Sequence, residues 1–139
     1  MRRRTIRLVV LASSASVWNF AVPVACVTPD EVSSLTWTGQ SAVHWTASAG
    51  AAHWNSYRGT IPSGLLGSRV AAGVYDTTCL ESADQNGDGA TATVDAAAPP
   101  LGTGYYYLAS GESGCGEGML GRSSSGSIIP NFTPCPTPP

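Results

Sequence analysis

The sequence predicts an all-β fold, an antiparallel sandwich of two sheets with seven to eight strands. Three observations point there. Short apolar runs alternate with a period of two, clusters of Gly, Pro and Ser separate them, and no window of a dozen residues sustains the 3.6-residue period of a long amphipathic helix. The 139 residues are one domain's worth. Apolar content of 42% with 12% charge, Gly 16 and Pro 10 excludes a coiled coil, a charged disordered tail and a collagen-like repeat.

The first strand is expected over Val32 to Thr38, ending at the turn Gly39-Gln40. In the second, Ala42 to Ala47, the residues Val43, Trp45 and Ala47 share one side, and Ala42, His44 and Thr46 share the other. A turn of small residues leads to the third strand, His53 to Gly59. Further runs cover Arg69 to Tyr75, Thr77 to Glu81, Ala90 to Asp95 and Gly104 to Gly111, with a weak serine-rich one between Met119 and Ile129. In the run from Gly104, Tyr105, Tyr107, Ala109 and Gly111 face the core, and Tyr106, Leu108 and Ser110 face out. Trp37, Trp45, Trp54 and Tyr107 supply the aromatic area that holds two sheets together. Residues 130–139 are too proline-rich to extend a sheet and form a tail tied down through Cys135.

Met1 to Arg7 is a positive n-region and Leu8 to Ala25 a mostly apolar stretch ending in a small residue, the grammar of a secretory signal peptide over residues 1–25. Ser13, Ser14, Ser16, Asn19 and Pro23 interrupt that run, which argues against a membrane anchor, so no transmembrane segment is expected in the mature chain. Removing about 25 residues leaves roughly 114, enough for one core. Cys26 directly after Ala25 also fits a lipid anchor, although Pro23 stands where such a signal carries a branched apolar residue. Cys26, Cys79, Cys115 and Cys135 lack metal-ligand spacing, and in an oxidising compartment they form disulfides. The expected bridge is Cys79 to Cys115, with Cys26 and Cys135 either paired or separately engaged.

Beyond the leader, Arg58, Arg69 and Arg122 stand against nine acids, a net charge of −6. A surface of that sign repels phosphate and excludes nucleic acid as a partner.

Particular runs resemble a known family. WTASAGAAHWNSYRG resembles the B-turn-C segment of a fibronectin type III domain, and GTGYYYLASGESGCGEG its F strand and F-G turn. TCL, GYYYL, CGEG-x-LG and PN-x-x-PCP, in that order, resemble the C-terminal fibronectin-III-like modules of secreted, mostly uncharacterised proteins of GC-rich bacteria. The resemblance implies an immunoglobulin-like, fibronectin type III sandwich over residues 32–129 and a secreted or cell-envelope setting, and it brings no catalytic residues. Ser56 departs from it, standing where that C strand carries a buried Val.

Four features bear on chemistry. Asp84, Asn86, Asp88 and Asp95 stand at positions 1, 3, 5 and 12 of a loop with Gly89 at position 6, the spacing of a calcium loop. Asn86-Gly87 and Asp88-Gly89 equally mark a metal-free turn. His44 and His53 have no serine in a nucleophile elbow to act with, so both are expected as surface residues. Glu112 and Glu117 flank Cys115, and a glycosidase-like hydrolase would need them to converge. Tyr57, Tyr106 and Leu108 are expected together on the outer face of one sheet, an apolar strip able to take a protein or carbohydrate ligand. The function expected is a secreted, non-catalytic binding or adhesive module, with a calcium-binding module and a small hydrolase as alternatives. No cofactor is expected other than calcium.

Overall fold

The computed structural model describes residues 25–63 and 75–137. The signal peptide expected over residues 1–25, apart from its last residue, and most of the run expected from Arg69 lie outside the described residues. Seven strands run among the described residues: β1 (Ser33–Thr38), β2 (Ala42–Thr46), β3 (His53–Ile61), β4 (Thr78–Ser82), β5 (Ala92–Val94), β6 (Gly104–Ser113) and β7 (Gly116–Glu117). They build two antiparallel sheets, one ordered β1-β2-β5 and the other β4-β3-β6-β7, and no helix occurs among the described residues. No described helix is therefore long and apolar enough to cross a membrane.

The spine is the pairing of β3 with β6, unbroken in register from His53↔Glu112 to Ile61↔Gly104. Nine consecutive pairs fix which residues share a face. On one face lie Trp54, Ser56, Arg58, Tyr105, Tyr107 and Ala109, and on the other His53, Asn55, Tyr57, Tyr106, Leu108, Ser110 and Glu112. Gly59 pairs with Tyr106, whose ring occupies the space a side chain would need: a Cβ there would lie 2.1 Å from Tyr106 Cζ. Glycine is thus required by close approach.

The sheets meet through Val32, Trp45 and Ala109, with Trp54 packed against them. Val43 and Trp45 turn inward as their alternation demands. Trp37 does not join them. It is 52% exposed, because β1 is an edge strand, irregular between Ser33 and Thr36, with every residue exposed. The expectation of a buried Trp37 is corrected accordingly. A second apolar cluster, Tyr57, Leu120, Ile129 and Cys135, packs on the opposite side of the four-stranded sheet together with Tyr75, Cys79 and Leu108.

The serine-rich run between Met119 and Ile129 is not a strand and carries only the isolated bridge Arg122↔Ile128. Pairing with β6 is instead made by β7, which lasts two residues before the chain leaves the edge and crosses the outer face. With no net period of two to hold it in register, the 119–129 run covers the sheet and does not extend it.

The bridges are Cys26–Cys115 and Cys79–Cys135, and no described cysteine is free. The expected Cys79–Cys115 bond is therefore corrected. Cys79 belongs to β4 at one edge of the sheet, and Cys115 sits in the turn between β6 and β7 at the other. Three strand spacings, about 14 Å, separate those edges, twice the roughly 7 Å that a disulfide spans between Cα atoms. The Cys26 sulfur is likewise committed to a bridge, which removes the thiol that lipid attachment requires.

Candidate functional site

The largest gathering of chemically capable side chains lies on the outer face of the four-stranded sheet. Its members arrive by strand parity. His53, Asn55 and Tyr57 alternate along β3, Ser110 and Glu112 along β6, and Glu117 on β7 pairs directly with Glu112. Asn55 Nδ2 donates to Glu112 Oε2 at 2.9 Å and to Glu117 Oε1 at 3.1 Å, so one amide clasps both carboxylates. His53 Nε2 lies 3.0 Å from Glu112 Oε2. The Tyr57 and Ser110 hydroxyls both donate to Glu117 Oε1. Glu112 and Glu117 therefore do converge, and His53 is drawn in with them.

The C-terminal segment closes over this group. Asn131 Nδ2 donates to Glu117 Oε2 at 3.0 Å and to the Tyr57 hydroxyl at 3.1 Å, and the Cys135 amide donates to the same hydroxyl at 2.9 Å. Thr133 Oγ1 donates to the Thr77 carbonyl, Ser82 Oγ to the Pro136 carbonyl at 2.9 Å, and Thr137 Oγ1 reaches Glu112 Oε1 at 3.4 Å. The Cys79–Cys135 bridge bolts the segment to β4. Burial and donation to Glu117 raise the Tyr57 phenol above its usual value, so it stays protonated and can make these bonds. Burial pushes the Glu112 carboxyl up, but hydrogen bonds from Asn55 and His53 outweigh it and hold the group below the ordinary carboxylate value.

This arrangement overturns the expected apolar strip. Tyr57 does share a face with Tyr106 and Leu108, yet it is fully buried. Leu108 packs against the same covered cluster. Tyr106 is half-buried, and its hydroxyl donates to Asp76 Oδ1 at 3.0 Å. An apolar face that size is unstable in water, and the chain covers it with its own tail.

The expected calcium loop is only partly assembled. Glu81, Asp84 and Asp88 bring carboxylate oxygens within 4.8 Å of one another. Gly89 N donates to Asp84 Oδ1 at 2.9 Å and Val94 N to Asp88 Oδ2 at 2.6 Å, while Asp88 Oδ1 is buried with no hydrogen-bond partner among the described residues. Asn86 contributes only its backbone N–H, which donates to Glu81 Oε1 at 2.9 Å. Asp95 is not part of the group. Its Oδ2 accepts from Arg58 Nη1 at 2.7 Å and from the Tyr107 hydroxyl at 2.9 Å, and its Oδ1 from Ala97 N at 2.9 Å. Both oxygens are thus occupied away from the loop, which corrects its assignment as a ligand. Glu81, which precedes the spaced motif, takes its place beside Asp84 and Asp88.

The opposite face of the same sheet carries a second group. Trp37 meets Tyr107 edge-on with ring centroids 5.1 Å apart, and the Arg58 guanidinium stands 4.4 Å over the Tyr105 ring. The hydrogen bond to Asp95 raises the Arg58 guanidinium further above its already high value. Burial and the bond to Asp95 push the Tyr107 phenol up to about 12. The Tyr105 hydroxyl lies 3.4 Å from the Ala98 carbonyl. His44 shares the outer side of β2 with no part in either group.

Sequence reasoning missed Asn55, Ser110, Asn131 and Glu81. The first two were within reach, since they continue the parity of Tyr57 and Leu108. Asn131 and Glu81 are joined to their groups by the course of the tail and the turn of a loop, which carry no periodic signal. Comparison with protein-family models, with curated protein sequences and with solved structures finds no match.

Proposed function

We propose that the chain is an exported β-sandwich module of fibronectin type III kind that binds or holds partners at or outside the cell envelope, with no catalysis of its own. One observation carries this reading: the only described place where two carboxylates, a histidine, a tyrosine and a serine converge is largely covered by the chain's own tail, with Tyr57 and Ser110 fully buried and His53 and Glu117 part-exposed. Tyr57 and the two carboxylates are used to fasten the tail, where a hydrolase needs them open to substrate. The strand order supports the family resemblance, with β2 central in the smaller sheet and β3 beside β6 in the larger. Two disulfides suit an oxidising compartment and support export.

The test is direct. The full chain, secreted from a bacterial host, is weighed intact and assayed on chromogenic glycosides. The expected product has lost its leader, carries two bridges and no acyl group, and hydrolyses nothing. Hydrolysis that disappears in Glu117→Gln would overturn the reading in favour of a glycosidase.

A calcium-stabilised adhesion module is the second reading, favoured by the unpartnered Asp88 Oδ1 beside Glu81 and Asp84. It requires the melting midpoint to rise with calcium and fall with chelator. An unchanged midpoint removes it.

A further inference from the structure

Trp37 is half in water, whereas Trp45 is buried and Trp54 packs against the core. Indole is among the side chains that gain most from burial, so a solvated one held in a fixed setting is a surface that folding leaves available. The setting is fixed. Tyr107 stands at 85° to Trp37, and the two rings make the floor and wall of a corner. The Tyr107 hydroxyl and Arg58 Nη1 converge on one Asp95 oxygen, and Arg58 in turn lies over the Tyr105 ring. Trp37, Tyr107, Asp95, Arg58 and Tyr105 thus form a continuous chain of contacts that joins the two sheets.

Resting on the module reading above, we propose that this corner binds a neutral saccharide ring. A pyranose has an apolar C–H face and a rim of hydroxyls. The indole offers a flat apolar surface for the face, and the Arg58 N–H groups and the Tyr105 hydroxyl offer partners for the rim. Arg58 spends one Nη1 contact on Asp95 and has five N–H donors in all. Charge selects the class of sugar. Asp95 neutralises Arg58, and the chain beyond its leader is strongly acidic, so a uronate or phosphorylated polymer is repelled while a neutral one is not.

The experiment is affinity electrophoresis of the full secreted chain in native gels containing hydroxyethyl cellulose, glucomannan, laminarin or soluble starch. Retardation is expected in at least one gel and is unchanged by added salt, as neutral recognition requires. Trp37→Ala raises the apparent Kd by about tenfold or more. Trp37→Phe recovers part of the affinity, and Phe132→Ala, on the tail across the sheet, binds as the parent does. Unretarded migration in every gel, or equal retardation of Trp37→Ala, overturns the proposal. Salt-sensitive retardation overturns it too, by pointing to a charged partner. Hydrolysis of the gel polysaccharide or an unprocessed leader would sink the module reading instead, so the two failures are distinguishable.

Discussion

The two faces of the four-stranded sheet use similar side chains to opposite ends. Each has a tyrosine donating to a carboxylate: Tyr57 to Glu117 on the outer face and Tyr107 to Asp95 on the face toward the smaller sheet. Around Tyr57 the phenol hydroxyl, Glu117 and Glu112 are each met by the tail, and the phenol is fully buried. Around Tyr107 the group remains half-open, with Trp37 in water at its margin. A cluster of reactive residue types is therefore not by itself a site. What separates fastening from recognition is whether the chain has already supplied the partner.

The largest expected effect breaks the covered face. Replacing Cys79 and Cys135 by serine removes a cross-link between residues 56 apart. In the loop-entropy model that loss destabilises the fold by about 4 kcal/mol. Thermal melts check this, and hydrogen exchange should show the amides of β3 around Tyr57 opening first. A midpoint close to the parent's would mean that the tail contributes nothing. Next comes Tyr57→Phe, which leaves Glu117, Asn131 and the Cys135 amide short of a partner inside a closed space. Urea titration should show a loss of about 2–3 kcal/mol.

Acid sharpens the comparison. Glu112 titrates below the ordinary carboxylate value when folded, so its stabilisation is present above the unfolded value of about 4.3 and disappears as pH falls through the folded one. Asp95 behaves alike: burial raises it, and bonds from Ala97, Arg58 and Tyr107 bring it down further. Melting midpoints measured from pH 7 to pH 3 should fall, and Glu112→Gln should flatten part of that fall. An unaltered slope in the variant would show that Glu112 does not link the tail to pH. The smallest effect on stability is expected for Trp37→Ala, within about 1 kcal/mol because the ring is already half in water. A large loss there would make Trp37 a core residue after all.

Much of the fold was legible because alternation is a local property. Val43 and Trp45 announced the inner side of β2, and the three tyrosines at 105–107 announced the two sides of β6. Alternation also placed Tyr57 beside Leu108 correctly. It could not say that Leu120, Ile129 and Cys135 would lie over them, because that cover depends on where an irregular segment travels. The disulfide pairing was hidden for the same reason, being set by sheet order and not by spacing. Glu112 and Glu117 stand out in the sequence, but their closeness depends on β7, two residues in a stretch that reads as a glycine-rich turn.

The bridges also interleave, first cysteine to third and second to fourth. A chain delivered from its N-terminus presents Cys26 and Cys79 while both native partners are still to come. An oxidant acting in order of arrival would join those two and trap a ring that the mature topology forbids. Productive maturation therefore requires either that oxidation wait for the whole chain or that thiol exchange undo the early product, a step lasting minutes to hours without an isomerase.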